Sequence, residues 1–175
     1  DYLDWIDERE QTFAFLHLAD PHTPVDPPKT YRQKYQVDDS IDGLDRWRYE
    51  TDTECDAACQ YYRKHRQRLY RASVDYVDDA ISRLKECLDA KDKNTLLVVT
   101  ADHGEAHWEN VEFDLKHFDG SGCVDHGGTP YEAVARVPIA TNAGWNLDAP
   151  VSLIDISATL ADITGVNLSN CSGYS

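Results

Sequence analysis

Methionine is absent from the 175 residues, and no apolar run approaches the ~20 residues a membrane-spanning helix needs. The second absence excludes a helical membrane anchor within these residues. The first, with Asp1 as the opening residue and no visible signal peptide, points to a mature or trimmed chain. Basic residues are scarce: 17 Lys and Arg face 32 Asp and Glu, a net charge of −15. Such a surface repels nucleic acid and anionic membranes, so neither is expected as a partner. The acidic runs (Asp38-Asp39, Asp78-Asp79, and the helix-like start from Asp1 to Glu10) are dispersed along the chain. They read as a solvated acidic coat of the kind that suits high salt.

Internal repeats and low-complexity tracts are also missing, which excludes solenoids and linkers. Cysteine is limited to five residues, an odd number in a chain large enough to fold without a disulfide framework. Cys55 and Cys59, four apart, fall on one face of a helix. With only His65 nearby, a zinc site there lacks ligands. Free thiols are the first expectation, a local disulfide the second. Asn167 and Asn170 open glycosylation-type triplets, a pattern short enough to arise by chance.

What is present suffices for one core: 41% of residues are hydrophobic, including four Trp and ten Tyr. "TFAFLHLAD" (12–20) and "NTLLVVT" (94–100) read as strands buried on both faces. The proline-rich "PHTPVDPP" must be loop, and Trp47 and Tyr49 are expected to anchor the irregular stretch 29–54. Val77, Ile81, Leu84 and Leu88 recur at helical steps within an expected helix of about 57–88. Residues 104–129 read as a long Gly- and His-containing loop, 135–141 as a strand, and 152–165 as an amphipathic helix ended by Gly165. Strands alternating with helices imply an α/β fold with a mostly parallel sheet and helices on both faces. Ligands then gather beyond the carboxyl ends of strands.

At that edge "LLVVTADHGE" sets a carboxylate, Asp102, beside an imidazole, His103. Where the backbone turns through Gly104 both can converge, and one oxygen with one nitrogen suits a divalent cation such as Zn, Mn or Fe, with Ca also open. The competing reading is a helix start, Asp102 capping and Glu105 closing a capping box. Taken alone, His22 and His126 read as turn and loop histidines. His17 reads as a core residue, His65, His107 and His117 as plain surface or loop positions, and Arg136 as a partner for acidic neighbours.

"FLHLADPHTPVDPP", "LLVVTADHGE" and "DHGGTPYEAVARVP", in this order, resemble the sulfatases of the alkaline phosphatase superfamily over roughly residues 5–166. The resemblance implies an alkaline-phosphatase-like hydrolase that cleaves sulfate or phosphate esters, small or glycan, at a divalent metal (Ca, Mn or Zn). It implies that Asp102 and His103 ligate the metal, and that His22 and His126 contact the transferred anion or leaving group, with Asp20 a weaker candidate. His103 stands where many calcium-dependent relatives have asparagine, which leans towards Mn, Zn or a phosphate-type substrate. Asn110 stands where relatives often carry histidine.

The Cys/Ser-x-Pro-x-Arg motif that holds the family's nucleophile is absent; "CSGYS" (171–175) lacks its Pro and Arg. Residues 1–175 are therefore expected to be the second half of a catalytic domain, incomplete and inactive alone. The missing N-terminal half or another subunit is the expected protein partner. A non-catalytic module that binds or builds, and a phosphodiesterase or phosphoglycerol transferase on the same scaffold, are the alternatives. An incomplete domain should expose an apolar sheet edge near 13–18 or 95–100 unless a partner covers it. The compartment stays open.

Overall fold

The computed structural model describes residues 12–43, 47–91, 94–145 and 149–175; the helix-like start expected before Glu10 lies outside them. The chain forms two compact units, residues 1–49 with 54–87 and residues 50–53 with 88–175.

The first unit is built on a 34-residue helix. Helix α1 (Lys29–Lys34) precedes it, and α2 runs Ala57–Ala90, as its periodicity predicts. No Pro or Gly interrupts α2, and the carboxylate of Asp56 accepts the Cys59 N–H at 2.8 Å at its start. Cys59, Tyr62, His65, Arg66, Leu69, Ala72 and Ser73 are buried along it, at steps of three and one that mark a single face, and Leu88 is buried near its end. Val25, Val37 and Ile41 are also buried in this unit.

Polar contacts pin the loop after α1 to that face. His65 Nδ1 accepts the Asp38 N–H at 3.0 Å, and Arg66 donates to the Asp42 carbonyl at 3.1 Å. The Arg66 guanidinium lies over the Trp47 ring, 4.4 Å from its centroid. Trp47 thus anchors the stretch as expected, and Tyr49 meets Tyr62 edge to face. His65 is buried, not a surface residue. Cys55 and Cys59 form a disulfide rather than free thiols.

The run 12–20 departs from expectation. Residues 12–19 form no strand and are exposed, Phe13 by 76% and Phe15 by 81%, and His17 is exposed with them rather than in a core. An apolar run becomes a buried strand only where neighbouring backbone supplies hydrogen bonds and a face to pack on. Among the described residues nothing pairs with it. Apolar side chains near 13–18 are thus exposed, but not on the sheet edge expected there.

The described residues of the second unit form four short strands. Strand β1 (Val98–Thr100), within the predicted 94–100, pairs antiparallel with β4 (Ile139–Thr141), Val99 opposite Ala140. The Asn142 side chain extends this ladder, accepting the Leu97 N–H at 2.9 Å and donating to the Thr95 carbonyl at 2.8 Å. Residues 104–129 are not plain loop: β2 (Ala106–His107) pairs antiparallel with β3 (Val124–Asp125), and α3 (Val111–His117) lies between them. A four-residue helix, α4 (Glu132–Ala135), occupies the start of the predicted third strand.

Helix α5 (Leu153–Thr164) ends as the sequence predicts. Gly165 takes the left-handed conformation at φ 70°, and the Val166 N–H closes on Ala161. Both ladders among the described residues are antiparallel, and they neither build nor contradict the mostly parallel sheet expected. No helix among these residues is long and apolar enough to cross a membrane.

Candidate metal and anion site

Beyond the carboxyl end of β1 the chain turns through Asp102, His103 and Gly104. No helix starts here, so the capping-box reading of Asp102 and Glu105 fails. The turn is held by the Gly104 N–H, which donates to the Val134 carbonyl at 2.7 Å. A Cβ on Gly104 would lie 2.1 Å from the Ala133 carbonyl oxygen, so only glycine allows this approach to α4.

The turn sets the tautomer of His103. Its Nδ1 lies 2.8 Å from the Gly104 carbonyl, and a carbonyl only accepts, so Nδ1 carries the proton. Nε2 keeps its lone pair, 3.8 Å from Asp102 Oδ1, and the Asp102 side chain is 80% exposed. An imidazole nitrogen freed by a backbone carbonyl on its other side is the usual state of a metal-ligating histidine. Asp102 and His103 therefore fit a divalent cation by donor type, separation and tautomer.

His126 directly follows β3. The β2–β3 register puts Ala106 opposite Asp125, so the residues flanking that pair, Glu105 and His126, become neighbours. His126 Nδ1 lies 2.8 Å from Asp125 Oδ1 and 3.5 Å from Glu105 Oε1. Its ring stacks on that of His103, with centroids 3.7 Å apart and planes inclined by 27°. The Glu105 side chain is only 6% exposed. Burial, then the Asp125 charge, raises its carboxyl pKa above the ordinary value, and the His126 charge opposes them.

The loop that carries His126 is clamped from below. Asp114, on α3, is fully buried and accepts from the Gly122 N–H at 3.1 Å, the Tyr131 hydroxyl at 2.9 Å and the Cys123 thiol at 3.7 Å. Burial first, and this carboxylate second, raises the Tyr131 pKa. Asp125 adopts φ 68°, a left-handed conformation that Asp tolerates better than most residues.

Three of the four residues singled out in the sequence, Asp102, His103 and His126, thus meet in one place. His22 lies exposed in the first unit, its Nδ1 2.6 Å from the Thr23 carbonyl, so its place beside them rests on the resemblance alone. Sequence reasoning missed Glu105, Asp125 and Asp114. Glu105 and Asp125 were visible in the quoted motifs, each within two positions of a singled-out histidine, but only the β2–β3 register joins them. His107, expected at the surface, is buried on β2, while His117 is exposed and Arg136 pairs with Glu132 at 3.1 Å, both as expected.

The family model for sulfatases matches residues 1–166, and the chain belongs to that family. Its α/β class follows. An arylsulfatase of Clostridium perfringens is 27% identical over 189 residues, an alignment that covers 96% of this chain and 37% of that protein. An Escherichia coli sulfatase, YidJ, is 31% identical over 103 residues, covering 54% of this chain and 18% of its own. Human arylsulfatase K is 34% identical over 89 residues, covering 47% and 14%. The chain thus spans little more than a third of the arylsulfatase and less of the other two. No solved structure matches it significantly.

Proposed function

We propose that this chain is the second half of a sulfatase-type catalytic domain that cleaves sulfate esters, with phosphate esters as the next substrate class. The supporting observation is the turn after β1. There Asp102 and the bare Nε2 of His103 stand 3.8 Å apart, and the His126 ring stacks on His103. The complete domain is read as a mostly parallel sheet with helices on both faces, to which this chain contributes its later strands.

In this reading Asp102 and His103 hold a divalent cation, Ca, Mn or Zn, with further ligands from outside these residues. Such a cation supplies Lewis acidity at an ester oxygen. His126 keeps Nδ1–H towards Asp125 and Glu105 and, as the imidazolium, donates Nε2–H to the anion. His22 donates to the same group or to the leaving oxygen, where negative charge grows in the transition state. In a chain of net charge −15, this cluster of histidines and cation is the local exception that accepts an anion. The nucleophile comes from sequence outside these residues.

The test is hydrolysis of aryl sulfate and aryl phosphate esters by the full natural protein, chelated and then resupplied with Mn, Zn or Ca. Sulfate-ester turnover that returns with one cation and is lost in Asp102→Asn supports the reading. The absence of a nucleophile motif from these 175 residues favours one other reading, a non-catalytic sulfatase-like module. A natural protein of 19.8 kDa without turnover of either ester would establish that module instead.

A further inference from the structure

We infer that Glu105, Asp125 and His126 form a divalent-cation site with ligands of its own, beside the Asp102–His103 pair. Each of the three offers one ligand atom, and these atoms all lie within 4.8 Å of one another. The spacing fits a metal: at ligand distances of about 2.0–2.2 Å, neighbouring ligand atoms sit roughly 3.0–3.5 Å apart in octahedral or tetrahedral coordination. His126 Nδ1 stands 3.5 Å from Glu105 Oε1, at the upper end of that range, and 2.8 Å from Asp125 Oδ1, just below it.

A second observation separates this group from an ordinary acidic cluster. The Glu105 side chain is 94% buried by its 6% exposure, and its Oε1 makes no well-formed hydrogen bond among the described residues, only a long 3.5 Å approach to His126 Nδ1. A carboxylate oxygen taken out of water without a well-aligned donor is costly unless a cation meets it. The two carboxylates also face each other across one imidazole, a repulsion that a divalent ion would offset. Asp125 is half-buried and held on β3, so the cage is preorganised by the β2–β3 register rather than by flexible side chains.

The donor set defines the ion. Two carboxylate oxygens and one imidazole nitrogen suit Zn or Mn, and exclude soft ions that want thiolate. Three protein ligands leave coordination positions for water or for an anionic ligand. Coordination through Nδ1 leaves His126 Nε2–H as a donor, so the role proposed for His126 towards an ester persists with this site filled.

The test uses the full natural protein, stripped by chelation and titrated with Zn²⁺ or Mn²⁺ by calorimetry, in an Asp102→Asn/His103→Ala background. That background should still bind one cation per chain. Adding Glu105→Gln should weaken this binding on the order of 100-fold or more, since even second-shell losses cost about 10–100-fold. No binding in the background, or binding unchanged by Glu105→Gln, overturns the inference. If Glu105→Gln does not fold, X-ray absorption of the Zn²⁺-loaded background decides. One nitrogen with oxygens supports the site, and an all-oxygen shell overturns it. Should the Asp102–His103 reading fail alone, the background would bind as many ions as the unsubstituted protein, while Glu105→Gln would still remove one.

Discussion

The imidazole rings of His103 and His126, 23 residues apart in the chain, lie face to face with 3.7 Å between centroids. One ring is fixed by the turn after β1 and the other by the end of β3, so the stack reports whether both segments are in place. Replacing either ring should be felt at the same site. His126→Ala is expected to lower kcat/KM on an aryl sulfate by about 10²–10³-fold, the usual loss for one charge-stabilising donor. His126→Lys, which keeps a cationic donor beside Asp125 and Glu105, should retain more activity than Ala. Steady-state kinetics on the full protein checks both, and equal losses would contradict an anion-binding role.

Gly104 makes a close backbone contact at the site, its Cβ position 2.1 Å from the Ala133 carbonyl oxygen. Backbone cannot yield as a flexible side chain would. Gly104→Ala should therefore destabilise by about 2 kcal/mol or more and separate Asp102–His103 from α4. Thermal denaturation measures the first effect and the stoichiometry of bound cation the second. An unchanged melting temperature would show that the Gly104–Val134 hydrogen bond is dispensable.

Asp114 binds the loop that carries Asp125 and His126. Asp114→Ala strands the Gly122 N–H and the Tyr131 hydroxyl, each worth about 1–3 kcal/mol when buried without a partner. A loss of about 3 kcal/mol in denaturant unfolding is expected. Hydrogen exchange should quicken first in residues 118–131. Tyr131→Phe alone, which removes one donor and leaves Asp114 its others, should cost less.

Asp38 predicts an acid limb in the stability profile. Hydrogen bonds from Ser40 and Tyr61 lower its pKa from 3.8 to about 2 in the folded chain. A carboxyl whose folded pKa lies below its unfolded one stabilises at pH above the unfolded value and loses that contribution as pH falls through the folded one. Stability should thus drop between about pH 4 and pH 2, and Asp155, also lowered, adds to the same limb. Asp38→Asn should flatten the slope in equilibrium unfolding followed across that window. A slope as steep as that of the unsubstituted protein would refute the assignment.

The Cys55–Cys59 disulfide closes a very short loop at the start of α2. Loop-closure entropy allows it about 2 kcal/mol at most. Reduction, or Cys55→Ser with Cys59→Ser, should lower the melting temperature by a few degrees without unfolding the chain. Peptide mapping under non-reducing conditions should recover the pair while Cys87, Cys123 and Cys171 react as thiols after denaturation.

The helices and the motif chemistry were legible in the sequence because each depends on neighbours along the chain. Ala57–Ala90 follows from apolar spacing without Pro or Gly, and Leu153–Thr164 from its periodicity and Gly165. Asp102, His103 and His126 were legible as residue types in recognisable motifs. What tertiary structure alone decided is pairing. Whether Phe13 and Phe15 are buried depends on a neighbour that no local pattern can specify, and here they are exposed. The grouping of Glu105 with Asp125 and His126 depends on one β2–β3 register, and a slip by a single residue would turn each side chain to the opposite face. Composition and local spacing thus determined the helices and the kinds of chemistry available. Long-range hydrogen bonding decided which carboxylates share an imidazole, because contacts between distant segments are set by their mutual packing and not by the residues beside them.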